Sequence, residues 1–188
     1  EIEGIYFYYN YMNDMKWNWN DNNTVFTTDT IGVWDIFDGI IYYKGAWVNH
    51  MLRHTIGDST YFEALRDYLD IHAWGNVITE DLEAVMESNY GSDLDWFFDQ
   101  WIYGNGHPEY DLLWAGSSLK VKVGVYQQAT GSYPSLFTMP LDVRMLGTNN
   151  MEEIQVIWID QANSNFLLSI GFYPNNVTLD PNGWVLGD

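Results

Sequence analysis

Two histidines on a predicted helix are the first candidates for metal chemistry. His50 and His54 lie four residues apart, which places both imidazoles on one helix face at the spacing of paired zinc ligands. The residues between them are Met51, Leu52 and Arg53. The pair therefore lacks the glutamate of an HExxH motif, and a neighbouring guanidinium would oppose a divalent cation. We interpret the pair as structural or exposed, and the sequence predicts no metal ligand in this chain.

The other ionisable residues are also explained by structure rather than catalysis. His72 falls on an apolar helical stripe, where a core position is expected, and His107 lies in a turn, where either packing or a hydrogen bond is expected. The acidic residues from Asp93 to Asp99 lie at a helix start, where the helix dipole favours negative charge. The sequence has no phosphate-binding loop, dinucleotide fingerprint, G-x-S-x-G motif or cysteine. Taken alone, the chain contains no self-sufficient active site.

Composition excludes several classes of partner. The 188 residues include 7 Lys and Arg against 26 Asp and Glu, for a formal net charge of -19. Phosphate backbones and anionic lipid would repel such a chain, so we expect binding neither to nucleic acid nor to a membrane surface. The sequence has no run of 18 apolar residues, so we also expect no membrane insertion. An apolar fraction of 47% and an aromatic fraction of 18% predict a folded core. Low charge density, many aromatic residues and the lack of thiols suggest a secreted or periplasmic bacterial protein.

Helical spacing dominates the chain before residue 108. The first helix is predicted over 35–56, with Gly57 at its end, and the second begins at Asp58. Two shorter helices follow, one from Thr79 and one capped by Ser92 or Asp93. On the second helix a single buried face is predicted, made by Phe62, Leu65, Leu69 and His72.

After Pro108 the apolar residues alternate with a period of two. This pattern predicts short strands in an antiparallel β-sandwich over 109–188. We therefore expect a helical subdomain over 35–108 ahead of the sandwich, whereas 1–34 remains a poorly defined lead-in. The predicted strands are Leu119–Val125, Phe137–Arg144, Ile154–Ile159 and Phe166–Ile170, with Pro174–Asn176 among the turns.

A series of motifs in the helical part resembles a known enzyme family. The sequence Tyr42-Tyr43-Lys44-Gly45 has the form Y-x-K-G. It is followed, in order, by His50-Met51-Leu52-Arg53, Leu65-Arg66-Asp67-Tyr68, Phe97-Phe98-Asp99-Gln100-Trp101 and Gly106-His107-Pro108. Together these motifs resemble the gluzincin aminopeptidases, of which aminopeptidase N is a familiar member. The resemblance implies an α+β chain, in which the helical subdomain of a thermolysin-like catalytic domain precedes an antiparallel β-sandwich.

The resemblance also implies a reaction, metal-assisted peptide hydrolysis. In this family two His and a Glu hold zinc, and a second Glu is the general base. The Tyr of Y-x-K-G donates a hydrogen bond to the developing oxyanion. Tyr42 matches that residue and is the candidate catalytic residue; the alternative is that it fills a helix interface. Gly45 is expected to permit close approach of a neighbouring element.

Other parts of the family's site are missing from this sequence. Residues 1–41 contain no His, so the HExxH that precedes Y-x-K-G is absent, as is the amine-binding G-x-M-E-N motif. We therefore predict the C-terminal part of a zinc metallopeptidase that hydrolyses peptides, with the zinc ligands outside this chain. The chain alone is expected to hold no zinc and to be inactive. The alternative is a non-catalytic carbohydrate- or protein-binding module, in which Trp17 and Trp19 stack on sugars.

Overall fold

Helices come first along the chain and strands follow. The computed structural model describes residues 4–16, 19–27, 32, 36–117 and 119–187. Within these residues five α-helices are present: α1 (Gly4–Met15), α2 (Gly39–Ile56), α3 (Asp58–Ile71), α4 (Thr79–Tyr90) and α5 (Asp95–Phe98), which continues into a π-helical turn (Asp99–Tyr103). The strands are β1 (Pro108–Gly116), β2 (Lys120–Ala129), β3 (Met139–Gly147), β4 (Glu152–Ile159), β5 (Asn163–Ser169) and β6 (Pro174–Leu179).

The strands form two antiparallel sheets of three strands each. Their orders are β1-β2-β5 and β4-β3-β6, so β2 and β3 are the central strands. On β2, Val123 lies opposite Trp114 of β1 and Phe166 of β5. The buried residues of β2 alternate along the strand, and those of β2 and β3 belong to one hydrophobic cluster, as expected of a β-sandwich. The predicted α+β class is confirmed.

The same hydrophobic cluster extends into the helices. Helix α2 contributes a buried stripe at helical spacing, which comprises Ile40, Lys44, Trp47, Val48 and Met51. Asp38 caps the start of α2 by accepting the Gly39 N–H at 2.5 Å. The predicted start at Asp35 lies outside the described residues. The helix ends at Gly57, whose positive φ of 84° and N–H bond to the Arg53 carbonyl close the last turn.

The prediction for the buried face of α3 was wrong at Phe62 and Leu69, whereas Leu65 packs against the hydrophobic cluster as predicted. Phe62 is 44% exposed and Leu69 is 67% exposed, whereas Tyr61 and Ala64 are buried. The stripe that begins at Tyr61 has the same helical spacing as the one that begins at Phe62, so periodicity alone did not distinguish them. The Phe62 ring instead lies 5.2 Å from the Arg53 guanidinium. Among the described residues, no helix is both long and apolar enough to cross a membrane.

The four predicted strands are present, but two further strands were missed. Strand β1 includes Leu113, which is 76% exposed and interrupts the expected alternation. Strand β6 begins with Pro174-Asn175-Asn176, which was predicted as a turn. Because β6 is an edge strand, a proline at its first position removes no ladder hydrogen bond that the sheet requires.

Candidate active-site helix

The candidate catalytic residue lies on the exposed side of α2. Tyr42 is 59% exposed, whereas Ile40 and Lys44, two residues to either side, are buried. Successive helical residues are about 100° apart, so residues separated by two lie on nearly opposite faces. Among the described residues no polar group hydrogen-bonds to the Tyr42 hydroxyl. The side chain therefore does not fill an interface within this part of the chain, and its hydroxyl is open to a ligand.

Beneath Tyr42, on the opposite face of the helix, Lys44 is completely buried. Its Nζ donates to the Gly104 carbonyl oxygen at 3.2 Å. Burial lowers the pKa of Lys44 to about 8, although the nearby Asp21 carboxylate acts in the opposite direction. A charged side chain in an otherwise apolar stripe thus fastens α2 to the turn that ends the helical part.

Asp21 lies within a small polar network. Its Oδ2 is 2.8 Å from His107 Nδ1 and accepts the Thr130 hydroxyl at 2.9 Å. Burial raises the pKa of Asp21, but the hydrogen bonds from His107 and Thr130 outweigh that effect and hold the pKa below its ordinary value. The expected hydrogen bond at His107 is thereby confirmed. The network joins the 19–27 segment, the end of the helical part and the end of β2.

Backbone hydrogen bonds hold the same three regions together. The Gly106 N–H donates to the Asp21 carbonyl at 2.9 Å, and the Thr130 N–H donates to the His107 carbonyl at 3.0 Å. A Cβ atom on Gly106 would lie 2.3 Å from the Gly131 nitrogen, so only glycine permits this approach. The carbonyl and carboxylate groups around Lys44 therefore belong to a closely packed frame.

The histidine pair on the second half of α2 is occupied by packing. His50 Nε2 lies 3.1 Å from the Gly183 carbonyl, to which it must donate, so Nδ1 accepts the Tyr8 hydroxyl at 2.7 Å. His50 and His54 stack on Trp184 with ring centroids 4.6 and 4.9 Å away. Burial lowers the pKa of His50 to about 4, so the ring is neutral near pH 7.

The described residues do not fit a zinc ion of the kind that the resemblance implies. Both nitrogens of His50 already have partners, so the pair cannot offer two free imidazoles. The single group of potential ligands close enough together in the described part of the chain is Glu83, Glu87 and Asp95. These are three carboxylates without an imidazole, and Glu87 already accepts the Leu94 N–H at 2.7 Å. We derive no zinc-dependent step from this chain's residues.

Two further sequence-based expectations concern Gly45 and the tryptophans near the N-terminus. A Cβ atom on Gly45 would meet nothing within 4 Å among the described residues, so the expected close approach at this glycine is not found. Trp19 is partly buried and packs against the hydrophobic cluster. Trp17 lies outside the described residues.

Sequence reasoning missed the polar network under α2. Lys44 was identified only as part of a motif, and Asp21 only as part of a polar loop. Their neighbour Gly104 lies 60 residues from Lys44 along the chain. A lysine within an apolar helical stripe was the one available signal, because such a residue requires a buried partner.

Comparison with known proteins gives consistent matches. The Peptidase family M1 domain matches residues 6–101. The chain is 32% identical over 120 residues to a probable M1 family aminopeptidase 1 of Encephalitozoon cuniculi, which covers 64% of this chain. It is 25% identical over 172 residues to the thyrotropin-releasing hormone-degrading ectoenzyme of Rattus norvegicus, which covers 81% of it.

A structural match extends over both parts of the chain. The crystal structure of Legionella pneumophila aminopeptidase A in complex with aspartic acid is similar over 89% of this chain, with a TM-score of 0.75 and 17% identity. At that identity the match concerns the fold alone. The chain spans 14% and 15% of the length of the two curated relatives and 20% of that aminopeptidase chain.

Proposed function

Because the chain belongs to peptidase family M1, we propose that it supplies one wall of an aminopeptidase active site, with Tyr42 as the donor that stabilises the oxyanion. Its metal ligands and general base would come from protein outside these 188 residues. The substrate would be a peptide, in keeping with the family. A secreted or periplasmic location remains part of this proposal.

The observation that supports the proposal is the placement of Tyr42. The residue matches the Tyr of Y-x-K-G, lies on the exposed side of α2 and has no polar partner for its hydroxyl among the described residues. A catalytic donor must be accessible yet carried by an element that does not move. Helix α2 meets the second condition, because its opposite face is buried from Ile40 to Ile56.

The chemistry proposed for Tyr42 follows from the properties of a phenol. Attack on the scissile carbonyl of a peptide places negative charge on the carbonyl oxygen. A neutral O–H already aimed at that oxygen donates a stronger hydrogen bond to the anion than to the starting carbonyl. The interaction therefore lowers the barrier more than it tightens substrate binding. This chain contributes that donor and the helix that holds it.

Replacing Tyr42 with phenylalanine tests the proposal. In the complete enzyme that carries this chain, we expect Tyr42→Phe to lower kcat about 10²–10³-fold with little change in KM, as for the loss of an oxyanion donor. Steady-state kinetics on an aminoacyl reporter measures both constants.

A matched control is the next residue along the chain. Tyr43 occupies the variable position of the motif and packs partly against the hydrophobic cluster, so Tyr43→Phe should leave kcat within about twofold. An unchanged kcat in Tyr42→Phe, or equal losses in the two variants, would contradict the assignment.

A further inference from the structure

We infer that Lys44 is a positioning residue for Tyr42: its buried ammonium, hydrogen-bonded to the Gly104 carbonyl, fixes the first turns of α2 and hence the place of the Tyr42 hydroxyl. The inference rests on the proposed function of Tyr42. It concerns a residue that does not reach the substrate, because Lys44 lies on the opposite face of the helix.

Packing alone does not explain a lysine at this position. The neighbouring members of the buried stripe are Ile40, Trp47 and Val48, and an apolar side chain would continue the stripe without burying a charge. Burying an ammonium costs free energy unless it is hydrogen-bonded and paired. The side chain gains a directional bond that an apolar residue cannot make, from its Nζ to the Gly104 oxygen at 3.2 Å.

The groups that interact with Lys44, by hydrogen bond or by charge, are themselves held in place. Asp21 is bonded to His107 and Thr130. A Cβ atom on Gly104 would lie 2.3 Å from the Gln100 carbonyl oxygen and 2.8 Å from Pro134, so this turn fits tightly between its neighbours. Lys44 therefore connects α2 to a tightly packed turn.

The position of this bond along α2 determines what it controls. Lys44 lies two residues from Tyr42, within the first two turns of α2. The two side chains lie on nearly opposite faces of the helix. A small rotation of the first turns of α2 about the helix axis therefore displaces the Tyr42 hydroxyl. Misplacement of a catalytic group by about 1 Å can cost about 10²-fold in rate.

A double-mutant cycle in the complete enzyme tests the inference. We expect Lys44→Met to lower kcat about 10–100-fold with little change in KM. In a Tyr42→Phe background the same change should lower kcat less than about twofold, because the group that it positions is already gone. Equal losses in both backgrounds would overturn the inference while leaving the proposed function intact. If Tyr42→Phe alone leaves kcat unchanged, the proposed function fails, and the inference fails with it.

Hydrogen exchange in the complete enzyme gives a readout that needs no activity. In Lys44→Met we expect the backbone amides of 43–46 to exchange about tenfold faster, while those of 51–56 keep their rates. Lys120→Met is the matched control, because Lys120 is exposed on β2, and it should change neither group.

A second variant keeps the test decisive if Lys44→Met does not fold. Asp21→Asn retains the size of the side chain and removes the negative charge that favours the protonated form of Lys44, so it should accelerate exchange at 43–46 in the same direction by a smaller factor. Unchanged exchange at 43–46 in a folded variant, or a uniform change along α2, would overturn the inference.

Discussion

Both halves of α2 carry side chains capable of chemistry, but the candidate in the first half is exposed and those in the second half are packed. In the first half Tyr42 is exposed and its hydroxyl is open, while Lys44 anchors the opposite face. In the second half His50 has partners on both nitrogens, and both it and His54 stack on Trp184. The histidines have the spacing of metal ligands, yet both rings are packed against Trp184. Exposure of the side chain, more than residue type, separates the candidate catalytic group from the structural ones.

Among the substitutions, the largest effect on stability should follow the loss of the Trp184 ring, which both histidines contact. Trp184→Ala removes stacking with His50 and His54 and an edge contact with Tyr9. We expect the free energy of unfolding to fall by about 3 kcal/mol, at the lower end for a core Trp because this ring is only partly buried. Denaturant titration measures it.

Trp74 provides the control for that measurement. It is fully exposed, so Trp74→Ala should change the free energy of unfolding by less than about 0.5 kcal/mol. Equal losses in the two variants would mean that Trp184 does not organise the second half of α2.

Acid should weaken the second half of α2 through His50. Burial lowers the pKa of His50 from 6.5 to about 4, so the unfolded chain binds a proton in this range that the folded chain does not. Stability is then fully present above pH 6.5 and is lost as the pH falls towards 4, by about 3 kcal/mol. Urea titrations at pH 7 and pH 4 measure the loss.

The variant His50→Gln isolates this contribution. Burial also lowers the pKa of His54, so the comparison is between the variant and the wild type. The variant should lose about 3 kcal/mol less than the wild type between the two pH values. Parallel losses would show that His50 is not buried as a neutral ring.

A smaller effect is expected from the ion pair at the end of α2. Arg53 makes two hydrogen bonds of 2.7 Å to the Asp58 carboxylate, which is largely exposed. Because solvent screens such a pair, Asp58→Ala should cost only about 0.5 kcal/mol, and less in 1 M salt. Thermal unfolding at low and high salt tests this. A salt-independent loss would indicate that Asp58 acts through the start of α3 instead.

The smallest effect on stability should come from the first half of α2. Tyr42→Phe removes a hydroxyl that has no partner among the described residues, so the free energy of unfolding should change by less than about 0.5 kcal/mol. The same change is expected to lower kcat strongly. A destabilisation above about 1 kcal/mol would show that the hydroxyl is used in folding, and would remove the contrast between the two halves.

Local patterns in the sequence predicted the elements well and their contacts less well. The start at Thr79 and the end at Gly57 depend on neighbouring residues, and both are found in the structure. The buried face of α3 depends on what packs against it, which spacing does not reveal. The Asp21 network joins residues up to 109 positions apart, so no local pattern contains it. Tyr42 was identified through a motif, whereas Lys44 becomes interpretable only through its distant neighbours.

The turn before β1 limits how the protein can be dissected. The change from helices to strands at Pro108 suggests a place to separate two pieces for expression. However, Asn105 at this turn accepts the Ser132 N–H at 2.8 Å and donates to the Asn22 carbonyl at 3.1 Å. A shortened chain that begins after Pro108 would lack Asn105, so the loop between β2 and β3 would lose the acceptor of its Ser132 N–H. Truncation variants for expression should therefore keep 19–27 and 104–107 together with the sheets.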